Sequence, residues 1–151
     1  MISGYLVGPR PAGADIGVTR DEVITRTFSV KRLTYEGNEF PYQEISPLLG
    51  CRFFTTGGRL FNGDTIFIDD EGLLVEDQDF CWKTSEMKYC LAGKGLLLGS
   101  NHMGESITPK TPLLDFALMI DKAGKPEPGD LQEPGFTFYS LDDADQVFRV
   151  D

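Results

Sequence analysis

The chain has 151 residues and a formal net charge of −10, from 24 acidic and 14 basic side chains. Its length corresponds to one domain, and a hydrophobic fraction of 40%, with 11 Phe and 5 Tyr, is sufficient to build a core. The acidic balance argues against direct nucleic-acid binding and against docking on an anionic membrane, since both need a basic surface.

Signals for targeting and for metal binding are missing from the sequence pattern. No apolar run approaches the roughly 18 residues of a transmembrane span, and residues 1–17 lack a basic stretch before an apolar one. We therefore expect a cytoplasmic protein. Cys51, Cys81 and Cys90 form no Cys-x-x-Cys pair, and His102 is the single histidine. A structural zinc site is not expected from these residues, nor is any other cofactor.

The first third of the chain predicts two strands and a short helix. Residues 2–7 suit a short strand, and the β-branched residues of segment 23–33 predict a second one. Tyr42, Ile45, Leu48 and Leu49 recur at helical spacing before Gly50. Pro47 limits that helix to one or two turns.

Residues 48–72 hold two apolar runs bounded by glycine-rich turns, and they predict a β-meander. The expected strands are residues 52–56, 59–61 and 64–69, joined by turns at 56–58 and at Asn62-Gly63. Asn-Gly between apolar runs is the strongest short-range hairpin signal. A further turn at residues 70–72 leads into an apolar run at 73–75.

The second half is less regular. Thr84 is a candidate cap for a helix ending near Leu91, and the leucines between Gly95 and Gly99 indicate a buried strand. For residues 113–120 a strand and a buried helix are both open, and a strand is preferred. Residues 122–135 contain three prolines and three glycines, which is typical of a linker or long loop. An edge strand at 136–139 and a helix from Ser140 are expected to follow.

These elements predict an α+β fold, a small and mostly antiparallel β-sheet with two or three short helices and a C-terminal strand–helix extension. We expect one domain over residues 1–121, with its core at about 41–100. The linker at 122–135 then connects it to an extension at 136–151, which packs on the domain or on a partner. Residues 121–151 carry eight acidic against three basic side chains, so this end is a candidate for docking a basic partner.

Three glycine-containing steps resemble a large family of small phage and bacterial proteins classified as a domain of unknown function. The matching positions are Leu48–Cys51, Asp70–Leu73 and Gly93–Gly99, and the resemblance covers about residues 41–100. The sequence departs from the family at Cys51, where a second glycine is usual, and at 80–84, where an Asn precedes the helix. The resemblance implies a viral or mobile-element context and a small accessory or counter-defence protein, but it carries no catalytic residues.

Two groups with possible chemistry have simpler structural explanations. Asp69, Asp70 and Glu71 lack the alternate spacing of a calcium loop, and a solvated hairpin turn is favoured for them. Cys81 or Cys90 with His102 has the residue types of a thiol hydrolase, but no family signature surrounds either cysteine. Packed thiols are favoured.

The residues at 55–59 are the strongest candidates for anion binding, because hydroxyls, glycine amides and a guanidinium together can hold a phosphate. An ordinary turn is still the favoured interpretation of this segment. Asn101 and His102 follow the last core strand and are candidates for further polar contacts. Trp82 is either a core residue or a stacking platform for a base. The predicted ligand-binding residues are Thr55, Thr56, Arg59, Trp82, Lys83, Asn101 and His102.

No base–nucleophile pair or cofactor fingerprint is evident in the sequence, so we expect no enzymatic activity. The leading hypothesis is a phage-type counter-defence protein that sequesters a small anionic ligand such as a nucleotide signal, as a possible homo-oligomer. The alternative is an acidic inhibitor or adaptor, including a nucleic-acid mimic, that blocks a basic site on a host protein.

Overall fold

The computed structural model describes residues 1–75 and 77–131. Two short α-helices lie in this part of the chain, α1 Ile45–Leu49 and α2 Leu113–Met119, with 3₁₀ helices at Tyr42–Glu44 and Gly72–Leu74. Its strands, in chain order, are β1 Ile2–Pro9, β2 Gly17–Val18, β3 Glu22–Ile24, β4 Phe28–Tyr35, β5 Phe54–Arg59, β6 Thr65–Asp69, β7 Cys81–Thr84, β8 Leu91–Ala92, β9 Gly95–Ser100, β10 Ser106–Ile107 and β11 Ile120–Gly124.

The strands form two sheets, and the pairings among the described residues are antiparallel. The main sheet has the order β2-β3-β4-β1-β9-β6-β5, with β10 beside the end of β9. A smaller sheet has the order β11-β7-β8. This arrangement confirms the predicted α+β class and its antiparallel sheet. The predicted extension at 136–151 lies outside the described residues.

The core occupies both faces of the main sheet, because alternate residues of a strand point to opposite faces. In β9, Leu97 packs in one cluster while Leu96 and Leu98 pack in another. The first cluster fills the space under α2 and the small sheet and includes Trp82 and Phe116. The second lies under α1 and includes Phe40, Ile45 and Leu49. The predicted buried strand at 95–99 is therefore the centre of the fold.

Segment 23–33 forms two strands of a hairpin instead of the single strand that we expected. Thr25 interrupts it, because its Oγ1 accepts hydrogen bonds from the backbone N–H of Thr27 (3.3 Å) and of Phe28 (3.1 Å). The same hydroxyl donates to the carbonyl of Phe28 (3.0 Å). Local side-chain bonds of this kind compete with a continuous strand.

The expected turn at 56–58 is also absent, and β5 continues through it as an edge strand. The register against β6 shifts between Thr56 and Gly58, which leaves Gly57 as the extra residue of a β-bulge. Gly57 lies directly over Ile68, whose side chain would be 2.9 Å from a β-carbon on that glycine. The turn at Asn62-Gly63 is present, and Gly63 has a positive φ of 97°.

Four further elements differ from expectation. Residues 73–75 do not form a meander strand, since the chain enters the 3₁₀ helix Gly72–Leu74 and β6 pairs with β9. Thr84 ends β7 without starting a helix; its Oγ1 accepts from the N–H of Glu86 in a single turn. Residues 113–119 form α2 where a strand was preferred. The predicted linker at 122–135 begins inside β11.

None of the helices in residues 1–75 and 77–131 is long and apolar enough to cross a membrane.

Candidate functional site

An apolar cleft of about 540 Å³ opens between the β2–β3 hairpin and α2. We call it the hairpin–helix cleft. Four aliphatic side chains on its walls are largely exposed: Ile16 at 58%, Val18 at 62%, Leu114 at 45% and Leu118 at 76%. Large exposed apolar side chains are ordinary when scattered, but grouped around one concave surface they are typical of a binding site.

The helix side of the cleft follows from the sequence of α2. The helix begins after Pro112, whose φ of −62° is compatible with a helix start. Phe116 and Ala117 are buried against the main sheet. Leu114 and Leu118 lie four residues apart on one flank and remain exposed. The helix therefore has more apolar surface than its own core covers.

The hairpin side is held by short-range hydrogen bonds. Gly17 pairs with Ile24 and Val18 pairs with Val23. The backbone N–H of Thr19 donates to the carbonyl of Glu22 at 2.8 Å, which closes the turn between the two strands. Val23 is buried, while Val18 on the outer strand is exposed.

Arg26 is the one charged residue among those that line the cleft. Asp15, Glu22 and Asp115 are next to lining residues in the sequence without lining the cleft themselves, and Asp115 lines a separate cleft with Lys110. Asp15 and Asp115 are exposed.

The residues predicted to bind an anion lie in separate parts of the fold. Thr55, Thr56 and Arg59 are exposed on edge strand β5. Asn101 organises its own loop, since its Oδ1 accepts from the N–H of Met103 and of Glu105, both at 2.9 Å.

Trp82, Lys83 and His102 complete that predicted set. The Trp82 ring is fully buried and packs edge-on against Phe116 at 6.0 Å between ring centroids. It is therefore not an exposed stacking platform. Lys83 pairs with Asp121, with Nζ 3.0 Å from Oδ1, and His102 is exposed. None of the seven predicted residues lines the hairpin–helix cleft, so their role in ligand binding stays a prediction.

Asp69, Asp70 and Glu71 form a turn after β6, as expected, but it is not a hairpin turn, because the chain continues into the 3₁₀ helix Gly72–Leu74. Asp69 Oδ1 accepts from the N–H of Glu71 at 2.8 Å, which is a local Asx-type turn. Glu71 in turn pairs with Arg52 at 2.9 Å, and both side chains are substantially exposed.

A smaller cleft of about 200 Å³ combines aromatic rings with a cation. We call it the aromatic cleft; it is lined by Tyr42, Ser46, Arg52, Phe53 and Phe54. The Arg52 guanidinium lies 5.3 Å from the Phe53 ring centre. Tyr42 and Phe53 are 74% and 59% exposed. Sequence analysis did not single out this group, although its three aromatics and arginine are close in the chain.

Cys81, Cys90 and Asp130 form a third site, which we call the buried thiol cluster. Their sulfur and carboxylate atoms lie within 4.8 Å of one another, and all three residues are buried. Cys81 begins β7 and Cys90 immediately precedes β8, its antiparallel partner, and Asp130 reaches them because β11 pairs with β7. Sequence reasoning missed the cluster because Asp130 lies in the segment expected to be a linker.

Burial sets the protonation of the cluster. It raises the pKa of the Cys81 thiol to about 12, with a further contribution from neighbouring Cys90. It also raises the pKa of Cys90. Asp130 has a lowered pKa, first because Lys122 hydrogen-bonds to it and then because the N–H of Glu127 does. The two cysteines are thus neutral thiols near neutral pH and lack the thiolate character of a catalytic nucleophile.

A scan against protein-family models and searches of curated proteins and of solved structures find no match for this chain. The resemblance at residues 41–100 and the phage context that it implies therefore stay predictions.

Proposed function

We propose that this protein is a non-enzymatic binding protein that captures an apolar segment of another protein in the hairpin–helix cleft. It would act as the inhibitor or adaptor of the sequence-based alternative, with a basic host protein as its partner. The observation that carries the proposal is the grouping of Ile16, Val18, Leu114 and Leu118, all largely exposed, on the walls of one cleft.

Burial of these four side chains is the source of binding energy in this proposal. Covering a fully exposed Val, Leu or Ile contributes about 1.5–3 kcal/mol, and these side chains begin about half to three-quarters exposed. The sum is comparable to the lower end of the roughly 4–15 kcal/mol that association costs. The cleft by itself therefore suits a transient contact.

Charge would supply partner selection. The chain carries a net charge of −10, and this overall acidity favours a segment flanked by Lys or Arg. Complementary charge raises the association rate and suppresses wrong partners more than it deepens the final complex. Binding should therefore weaken as salt is added, because exposed charges are screened over about 10 Å at 0.1 M salt.

A display library of short peptides tests this function, with the full chain as bait. We expect enrichment of peptides with an apolar centre and basic flanks, and loss of their binding in Leu118→Asp. The matched control is Leu74→Asp, an exposed leucine outside the cleft. Failure to enrich such peptides, or equal binding by both variants, would overturn the proposal. So would preferential binding of a peptide of residues 132–151 to this cleft, since the occupant would then be the chain itself.

The aromatic cleft supports a second candidate function, which is capture of a nucleotide-like anion as in the leading sequence-based hypothesis. Exposed Tyr42 and Phe53 are suited to stack on a base, and Arg52 is suited to hold a phosphate. The exposed Arg52–Glu71 pair is worth only about 0–1 kcal/mol, so an anion can compete for this guanidinium. The candidate ranks second because about 200 Å³ is below the roughly 300–1,000 Å³ of ordinary ligand pockets.

Calorimetric titration with a nucleotide and cyclic-nucleotide panel tests the second candidate. We expect heat from at least one compound and its loss in Arg52→Ala. Arg59→Ala distinguishes the aromatic cleft from edge strand β5, since Arg59 belongs to the sequence-predicted set alone. Absence of heat across the panel would reject nucleotide capture at either place.

A further inference from the structure

We propose that the buried thiol cluster is a cation site, in which Cys81, Cys90 and Asp130 bind a zinc-class divalent ion. This inference is independent of the hairpin–helix cleft. It also goes against the expectation from sequence, where the cysteine spacing and the single histidine give no zinc signal. Strand pairing brings the three ligands together from distant parts of the chain, so no short sequence motif indicates the site.

The distances suit a tetrahedral ion. A zinc–sulfur bond of about 2.3 Å places two sulfur ligands roughly 3.8 Å apart in a tetrahedron. The three candidate ligand atoms lie within 4.8 Å of one another. Closing on an ion therefore needs movements of no more than about 1 Å, which small side-chain rotations provide.

The three ligands stand on a constrained backbone. Cys81 begins β7, whose partners are β8 and β11. The backbone N–H of Cys90 donates to the carbonyl of Asp130 at 2.8 Å. The N–H of Glu127 donates to Asp130 Oδ2 at 2.7 Å. These bonds fix the carboxylate beside the thiols in the way that outer hydrogen bonds orient metal ligands.

Charge balance is also compatible with an ion here. Zinc would replace the two thiol protons, which pass to solvent, and leave two thiolates and one carboxylate around a doubly positive ion. That group carries one net negative charge. Lys122, whose Nζ hydrogen-bonds to Asp130 Oδ1, adds one positive charge and makes the assembly neutral. Neutrality matters because an unbalanced charge is costly in a buried position.

The donor set indicates which ion. Thiolates select soft or borderline ions, and two sulfurs with one carboxylate fit zinc better than magnesium or calcium, which prefer oxygen alone. Each carboxylate oxygen of Asp130 already accepts one hydrogen bond and keeps a second lone pair for the metal. Three protein ligands leave the fourth tetrahedral position to water or to a bound molecule.

Titration of the reduced full-length protein with Co²⁺ and Zn²⁺ tests the site. We expect one equivalent of Co²⁺ to give a thiolate-to-cobalt charge-transfer band, and Zn²⁺ to displace it. X-ray absorption of the zinc-loaded protein should show two sulfur ligands at about 2.3 Å. This spectroscopic readout needs no variant, so it stands even if a substitution disturbs folding.

Variants locate the site. Cys81→Ser and Cys90→Ser should abolish the cobalt band, and Lys122→Met should weaken zinc binding about 10–100-fold as an outer-ligand change. Cys51→Ser is the matched control and should bind as the wild type does, since Cys51 lies outside the cluster. An absent band in the wild type, a coordination shell without sulfur, or loss of the band in Cys51→Ser alone would overturn the proposal. The proposal would also be overturned if Cys81 and Cys90 formed a disulfide in air and the protein, once reduced again, took up no metal.

Discussion

Gly95 and Trp82 are in direct contact between the two sheets, and a β-carbon on Gly95 would lie 2.2 Å from Cζ2 of Trp82. The indole can cross the face of β9 only because no side chain is present at that position. Trp82 is fully buried and its ring also packs on Phe116. Its indole Nε1 has no hydrogen-bond partner among the described residues. The contact with Gly95 thus places the small sheet on the main one.

Gly95→Ala should destabilise the protein strongly. Overpacking a well-filled core typically costs about 1–3 kcal/mol, and the 2.2 Å contact places this substitution at the upper end. Chemical denaturation gives the free energy of unfolding. Gly8→Ala is the control, because a β-carbon on Gly8 of β1 meets only the flexible Lys94 side chain at 3.5 Å. Equal stability of the two variants would mean that Trp82 does not lie against Gly95.

Asp64→Asn should also be costly. Asp64 is fully buried and its carboxylate accepts from the N–H of Lys110 (3.0 Å) and from both the N–H and the hydroxyl of Thr111 (2.9 and 2.7 Å). An amide in its place puts a donor against these donors. We expect a loss of about 3 kcal/mol of unfolding free energy.

The matched control for Asp64 is Asp70→Asn, because Asp70 is exposed in the acidic turn. We expect a change within about 0.5 kcal/mol there. If Asp64→Asn were as mild as Asp70→Asn in thermal unfolding, the connection between the β5–β6 turn and the start of α2 would not depend on this carboxylate.

Thr25→Ala should loosen the β3–β4 turn that forms one end of the hairpin–helix cleft. The hydroxyl of Thr25 makes three local backbone bonds, and loss of a comparable capping side chain costs about 1 kcal/mol. Hydrogen exchange should show faster exchange of the Thr27 and Phe28 amides. Thr27→Ala is the control in the same turn, and it should leave those amides protected; equal exchange in both variants would contradict the role of Thr25.

The three cysteines should react with alkylating reagents at different rates in the native state. Cys51 is partly exposed, whereas Cys81 and Cys90 are buried. Peptide mass spectrometry after timed iodoacetamide treatment should show labelling of Cys51 first, and of the other two only on the timescale of opening. Equal rates for all three would mean that the buried thiol cluster is open to solvent.

The fold could be predicted from sequence where local chemistry decides the structure. Gly50 ends α1 in a left-handed conformation with φ of 68°. Gly63 in the β5–β6 turn also has a positive φ. Leucines between Gly95 and Gly99 mark the central strand. In these segments the residue type suits the backbone conformation that the fold requires, so the local sequence is sufficient to predict the structure.

Elsewhere tertiary pairing decides the structure, and sequence periodicity cannot reveal it. Residues 113–120 are one short apolar run that fits a strand or a buried helix equally; Pro112 before it was the available signal for a helix start. The hairpin–helix cleft joins β2 and β3 to α2, about ninety residues later in the chain. Asp130 reaches Cys81 only through the pairing of β11 with β7. The hairpin–helix cleft and the buried thiol cluster therefore both depend on the chain topology and not on a local sequence motif.

Binding of apolar, basic-flanked peptides to Leu118→Asp, beside Leu74→Asp and the wild type, measures whether the hairpin–helix cleft captures a protein segment. Leu118 is 76% exposed, so its substitution should change folding stability by less than about 0.5 kcal/mol. Fluorescence anisotropy with a labelled peptide from the display selection gives the affinity. We expect at least a tenfold loss of affinity, about 1.4 kcal/mol, in Leu118→Asp and wild-type affinity in Leu74→Asp. Undiminished affinity in Leu118→Asp would contradict it.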